Sequence, residues 1–252
     1  MKKKSIAPRK LMDRGVQVVS FFIALFSIAM LVWILTVIII RGMSALNWGM
    51  IVNPTAPYGF PDGGLANAIV GTLIITTGAA LLGVPAGLLG GIYLSEFGGS
   101  TQTGKIIRFS ANVMMGIPSI IVGLFVYTLL VLPTGHFSGF AGSVALSIIM
   151  LPVVLRTTED VLCMVPNALR EAGLSMGIPR WKVTFSIIFR TAKRGLVTGV
   201  LLAVARVSGE TAPLLFTALW SDSWPTRYFT QPTANMTVIV NEYATNEPFA
   251  EM

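Results

Sequence analysis

The sequence predicts an all-α integral membrane protein, a polytopic bundle of spanning helices. Three observations carry this expectation. Hydrophobic residues make up 54% of the 252-residue chain and charged residues only 12%, whereas a soluble fold draws about a quarter of its residues from Asp, Glu, Lys and Arg. Mean hydropathy is +0.75. The charges that do occur fall mostly between long uncharged runs. Such a chain lacks the charge to face water over its whole surface, so most of that surface must face lipid or other helices. Disorder, coiled coil and collagen are excluded by the same composition. The net charge of +7 raises the question of a nucleic-acid partner. The basic residues, however, cluster at the ends of apolar runs rather than in one stripe, so no nucleic acid is expected. Cys163 is the single cysteine and permits no internal disulfide.

Residues 1–15 form a basic tail with Lys2, Lys3, Lys4, Arg9, Lys10 and Arg14. The first anchor, 16–40, is uncharged throughout its 25 residues and reaches roughly 37 Å at 1.5 Å per residue. A signal peptide has an apolar core of only about 7–15 residues, so this segment reads as an uncleaved span. A second uncharged run, 63–95, holds a span near 65–94. The third, 109–155, is interrupted at Leu132-Pro-Thr-Gly-His136 and accommodates two spans, about 109–132 and 137–156. His136 then lies in an external, solvated turn. A fifth span covers about 195–219 and contains Arg206 and Glu210.

Loop charge sets the orientation. Segments 1–15, 95–108 and 156–194 hold fifteen of the eighteen basic residues, and Lys and Arg concentrate on the cytoplasmic side. The amino terminus is therefore expected inside, with the spans alternating after it. Five spans leave the carboxyl terminus outside, where the tail from Trp220 carries Asp222, Glu242, Glu247 and Glu251 against one Arg227. A sixth, closing span is not visible, and the chain is expected to be truncated before it.

Ala79, Gly83, Gly87 and Gly91 recur every four residues in the second span. On a helix they form one ridge of small residues that admits a neighbouring helix closely, which predicts intramolecular packing. Gly99-Ser-Thr-Gln-Thr-Gly104-Lys105 imitates a phosphate-binding loop. The next residue is Ile106 rather than a hydroxyl ligand for Mg²⁺, and a membrane helix precedes it instead of a strand. It reads as a cytoplasmic turn, with no nucleotide site on this chain.

The cytoplasmic loop 157–194 is far longer than a helix hairpin needs. Pro166 suits a helix start, 167–176 reads as a helix, Gly177 supplies a left-handed stop and Pro179 begins a second helix through Ile188. An amphipathic helix held between two spans suits docking of a soluble partner.

In the fifth span Arg206 and Glu210 stand near the middle, where each ionisable group costs about 2.5–3.5 kcal/mol. At i and i+4 they share a helix face and can pair. Pro213 cannot donate to the carbonyl of Gly209, so a kink is expected beside Glu210. Two readings remain open: a self-neutralising pair in the bundle interior, or an anion contact with planar donors on Arg206 and Glu210 orienting them. Arg156, closing the fourth span, is either a membrane-flanking anchor or a second arginine along the same path. Ser119 follows Pro118 at a helix break, where it either packs or presents a helix amino terminus to an anion.

Glu171-Ala172-Gly173-Leu-Ser-Met-Gly177, with Ile187 ten residues further on, is similar to the EAA motif of ABC importer permeases. It departs from that motif at Gly173, Phe189 and Arg190. The run 201–215, with Arg206-Val-Ser-Gly-Glu210-Thr-Ala-Pro213, resembles the A-type permease subunit of the phosphate importers of the Pst system. So do Ile117-Pro-Ser-Ile-Ile-Val-Gly-Leu-Phe125, His136-Phe-Ser-Gly139 and Leu155-Arg-Thr-Thr-Glu-Asp160.

The resemblance covers roughly 63–252 and implies a type I ABC importer (MetI-like) transmembrane domain, with five of six spans visible. It implies a non-enzymatic subunit in a bacterial inner membrane, surrounded by lipid and forming a path for inorganic phosphate with a homologous second permease. A cytoplasmic ABC ATPase dimer would hold ATP and Mg, leaving no cofactor on this chain, and an external phosphate-binding protein would deliver the anion. Coupling to the ATPase would fall to Glu171, Ala172 and Gly177. The path would use Arg206, Glu210, Arg156 and Ser119, with Gly209 and Pro213 forming the kink. Two other functions fit less well: a permease for sulfate or molybdate, against which Gly209-Glu-Thr-Ala-Pro213 argues, and an ion-coupled secondary transporter, whose inverted repeats are not evident.

Overall fold

The computed structural model describes residues 7–43, 46–56 and 63–246. Lys2, Lys3 and Lys4 of the basic tail, and Glu247 and Glu251 of the acidic one, lie outside the described residues. The chain divides into two units, 1–51 and 52–252.

The first unit holds the long helix α1 (Ala7–Gly42) and all but the last residue of the short α2 (Trp48–Val52). From Met12 to Gly42 α1 is long and apolar enough to cross a membrane. Large side chains such as Phe22, Leu31 and Trp33 are exposed, which suits a helix whose solvent is hydrocarbon.

Among the described residues the regular elements of the second unit are all helical. It comprises α3 (Ala66–Glu96), α4 (Gln102–Gly116), α5 (Ser119–Thr134), α6 (Gly139–Cys163), α7 (Asn167–Ser175), α8 (180–208), α9 (Ala212–Leu215) and α10 (Met236–Asn246). The pair α3 and α6 is its axis, and the glycine ridge shows why. A Cβ on Gly83 would lie 3.0 Å from the Ser147 carbonyl oxygen, one on Gly87 2.8 Å from Val154 Cβ, and one on Gly91 2.6 Å from the Leu155 carbonyl oxygen. Without side chains on this stripe the two backbones approach closely, and dispersion contacts replace the absent hydrophobic drive between helices in lipid. Around the pair, Ile75, Leu146, Met150, Val154, Val207 and Leu214 form the main buried cluster, joining α8 and α9.

Several expected boundaries move. The third span, expected over 109–132, is two helices, α4 and α5, bent by 101° at the Ile117-Pro118 break. Pro118 lacks an N–H and disfavours helical geometry in the residue before it, and Ile117 is extended at ψ 129. The fourth helix runs on to Cys163, beyond the expected end near 156. The second loop helix does not stop at 188; it passes through a π segment, Thr184–Ile188, into the segment where the fifth span was expected, as one helix that ends at Ser208. The tail contains a further helix, α10, where none was expected. Asn235 caps it by accepting from the Val238 amide at 2.9 Å, and the Met236 amide donates to Thr72 Oγ1 of α3 at 2.9 Å. His136 is half-buried rather than solvated, and its Nδ1 is buried without a hydrogen-bond partner.

The turn after Gly99 is a helix start: Thr101 Oγ1 accepts from the Gly104 amide at 3.0 Å and caps α4.

Gly91→Ala should destabilise the detergent-solubilised protein by about 1–3 kcal/mol through overpacking. Gly99→Ala, where a Cβ meets nothing within 4 Å, should leave thermal unfolding unchanged. Equal melting shifts for the two would show that the ridge is not the tight contact described here.

Candidate functional site

Two breaks in the helical backbone meet at one place. The first lies between α4 and α5, so that α5 begins at Ser119. The second ends α8 at Ser208. Gly209 follows at φ −92, ψ 1, the Glu210 amide donates to the Val207 carbonyl at 3.1 Å, and α9 starts at Ala212. The expected kink at Gly209 and Pro213 is therefore a full interruption. Pro213 lies in the first turn of a new helix, where its missing N–H costs nothing, instead of bending the old one. Glycine keeps the two breaks together: a Cβ on Gly123 of α5 would lie 2.7 Å from Pro213 Cα.

The breaks open onto a cavity of about 170 Å³. Its apolar wall comes from α4 (Met114, Met115), from Val122 and from α6 (Ile148, Ile149, Val153). Its polar groups are Ser119, Arg206 and Glu210. Arg206 occupies the last turn of α8, where its charge complements the helix carboxyl-terminal dipole. Ser119 opens α5, whose unpaired amides carry the opposite partial charge.

Because α8 ends before it, Glu210 is no longer one helical turn above Arg206. Among the described residues no ion pair or side-chain hydrogen bond joins the two, and the self-neutralising pair that their spacing suggested does not form. The Glu210 backbone carbonyl accepts from Thr237 Oγ1 at 3.0 Å, which ties the break to α10. The guanidinium thus keeps its donors, beside a hydroxyl, a helix amino terminus and the Glu210 carboxylate, in an otherwise apolar chamber. That arrangement suits a small oxyanion.

Arg156 is placed elsewhere. It stands one turn beyond Val153 and donates to Glu159 at 2.8 Å, while Glu159 also takes Arg108 at 2.6 Å. The guanidinium of Arg108 continues to the carbonyls of Leu94 and Gly99, both at 3.2 Å. Arg156 does not line the cavity of Arg206, and one nitrogen of its guanidinium is engaged by a carboxylate whose side chain is 6% exposed. Glu159 and Glu96, both buried, were not singled out in the sequence. A carboxylate three residues after Arg156, and another closing an apolar span, were the available signals.

The loop between α6 and α8 folds as a compact element. Val165, Val183, Ile188 and Leu196 bury together with Ile92 and Leu162. Glu171, Ala172 and Leu174 stay exposed on α7, as does Met176 just after it, while Gly173 is buried, with a hypothetical Cβ 2.9 Å from Val183 Cγ2. The departure from alanine at this motif position thus has a packing cause. Gly177 turns the chain at φ +73. On the far side of the unit, the Tyr228 hydroxyl donates to Ser143, whose own hydroxyl donates to the Ile75 carbonyl at 2.8 Å. Burial pushes the Tyr228 phenol above its usual range, and the Ser143 hydrogen bond opposes that shift.

The sequence model of the binding-protein-dependent transport system inner membrane component family matches residues 83–241. A Pasteurella multocida (strain Pm70) protein named phosphate transport system permease protein PstA is 43% identical over 243 residues, covering 96% of this chain and 86% of that protein. A Yersinia pestis protein of the same name is 40% identical over 250 residues, covering 99% and 84%. Among solved structures, an inward-facing conformation of the MetNI methionine ABC transporter superposes with a TM-score of 0.54 at 19% identity. It covers 72% of this chain and 78% of that one, a likeness of fold.

At Gly177, where any side chain is strained, Gly177→Val should cost about 1–2 kcal/mol and expose the 176–179 turn to limited proteolysis. Gly177→Asn should cost less, because Asn enters the left-handed region more readily. Equal protease resistance of all three proteins would show that the turn does not depend on glycine.

Proposed function

The chain belongs to the family of binding-protein-dependent transport system inner membrane components, and from that premise we propose that it is the permease subunit of an ATP-driven importer of inorganic phosphate. One observation carries the choice of path: the Arg206 guanidinium, without a counter-ion among the described residues, shares a cavity with Ser119 and Glu210 at the junction of two helix breaks. The names of relatives 40–43% identical over nearly the whole chain support phosphate as the anion.

In this reading the amino terminus is cytoplasmic and the chain lies in a bacterial inner membrane beside a homologous second permease. An external binding protein releases phosphate to the outward-open pair. A cytoplasmic ATPase dimer, which holds the ATP and Mg, grips α7 through Glu171, Ala172 and the Gly177 turn. Its closure moves the helices between outward and inward openings.

The chemistry left to this chain is to lower the barrier for a doubly charged anion in a low-dielectric passage. Arg206 offers fork-shaped donors to the phosphate oxygens, and the α5 amino terminus adds partial positive charge. Conduction requires release as well as entry, which a cavity with one guanidinium and one opposing carboxylate satisfies better than a cage of cations. Hydrogen phosphate carries a proton it can donate to the Glu210 carboxylate. Fully ionised sulfate has none, so the carboxylate repels it.

Arg206→Gln should reduce phosphate uptake by about ten- to a hundredfold, the equivalent of a lost charge-assisted hydrogen bond, with assembly and ATP hydrolysis intact. Uptake at the wild-type rate would remove Arg206 from the path. In proteoliposomes, Glu210→Gln should narrow the phosphate-over-sulfate preference by about tenfold; unchanged discrimination would assign selectivity to the binding protein.

A further inference from the structure

We infer that Glu96 is a positioning residue that clamps α7 to the end of α3, so that displacement of α7 is delivered to the helix bundle. This rests on the importer reading above. Glu96 is the last residue of α3, and its side chain is only 3% exposed. Its Oε1 accepts from Arg170 Nη2 at 2.8 Å and from Nε at 3.1 Å. The other donors of Arg170 reach the end of α6 and the linker beyond it: Nη2 meets the Leu162 carbonyl at 2.9 Å, and Nη1 meets the Val165 carbonyl at 2.7 Å and Asn167 Oδ1 at 3.2 Å. The backbone carbonyl of Glu96 accepts from Arg180, the first residue of α8, whose guanidinium lies 5.2 Å from the centre of the Phe97 ring.

One residue therefore holds two guanidinium groups, one from each side of the Gly177 turn. A planar guanidinium fixed along two edges constrains orientation as well as distance. With Arg170 committed to this clamp, α7 still exposes Glu171, Ala172 and Leu174, with Met176 just after it, for a partner. On the other side of the clamp, α3 is locked along its glycine ridge to α6, which lines the cavity with Ile148, Ile149 and Val153. A push on α7 thus reaches α3 and α6 through groups held rigidly at both ends. A neutral residue at 96 would let α7 move without carrying α3 along.

The test uses the full complex with its ATPase and binding protein, reconstituted in proteoliposomes, and reads phosphate imported per ATP hydrolysed. Glu96→Gln and Arg170→Gln should each lower that ratio by about tenfold while hydrolysis continues, and the double variant should be no worse than either single one. An unchanged ratio, additive losses, or uptake and hydrolysis falling in proportion would overturn the inference. Should Glu96→Gln fail to assemble, Glu96→Asp, which keeps the charge and withdraws it by one methylene, should lower the same ratio, and an unchanged ratio there would overturn the inference equally. A wild-type chain that recruits no ATPase would instead overturn the importer reading, and the clamp with it.

Discussion

The close approach of α3 and α6 is the constraint from which the second unit is built. Gly83, Gly87 and Gly91 bring the α3 backbone against carbonyls and Cβ atoms of α6 at distances that leave no room for a methyl group. In lipid no hydrophobic drive favours one helix contact over another, because hydrocarbon solvates leucine as well as a neighbouring helix does. Geometry has to choose the partner, and a four-residue glycine repeat chooses a close, near-continuous one. Once that pair is fixed, α8 and α9 pack on it through Val207 and Leu214, and α4 seats Ala111 between Leu94 and Leu155.

The helix breaks work against this rigid pair. An unbroken α-helix satisfies its own backbone groups and presents only side chains, so it offers a passing anion little beyond the residues it carries. A helix interrupted inside the bundle exposes amides and a dipole end without meeting lipid. The 101° bend before Ser119 supplies such an amino-terminal end at the cavity, and the stop at Ser208 brings Arg206 to the same place, in the last turn of its helix. Pro118, Gly209 and Pro213 are the residues that make each interruption tolerable. The stop at Ser208 also separates Glu210 from Arg206. A regular helix would have let the two pair at i and i+4, leaving fewer guanidinium donors for a ligand.

Much of this was legible in the sequence because it depends on composition and local rules. Uncharged runs mark most of the spanning helices, the four-residue glycine repeat announces close packing, and Gly177 between Pro166 and Pro179 delimits the two loop helices. What escaped depends on tertiary context. Pro118 signals a break but carries no angle, so the span expected over 109–132 hid a sharp bend. Pro213 inside an apolar run reads as a kink, since nothing local says the helix has already ended at Ser208. Arg156 has its carboxylate, Glu159, only three residues on, but nothing local shows that the same carboxylate also answers to Arg108, 51 residues away. Glu96 and Arg170 are separated by 74 positions. No window along the chain pairs them.

The distribution of ionic contacts follows from what each region must do. At the loop end of α3 and α6, Glu96 and Glu159 are nearly buried, each engaged by a guanidinium within 2.8 Å. Removing one partner from such a pair strands a buried charge, so these contacts resist rearrangement. At the cavity the order is reversed: among the described residues the side chains of Arg206 and Glu210 form no ion pair, and the helix that would have set them one turn apart ends between them. An engaged guanidinium there would have to break its pair each time a ligand arrived, adding that cost to every passage. Leaving it unpaired spends stability once, in folding, and keeps the site open to weak and reversible contact.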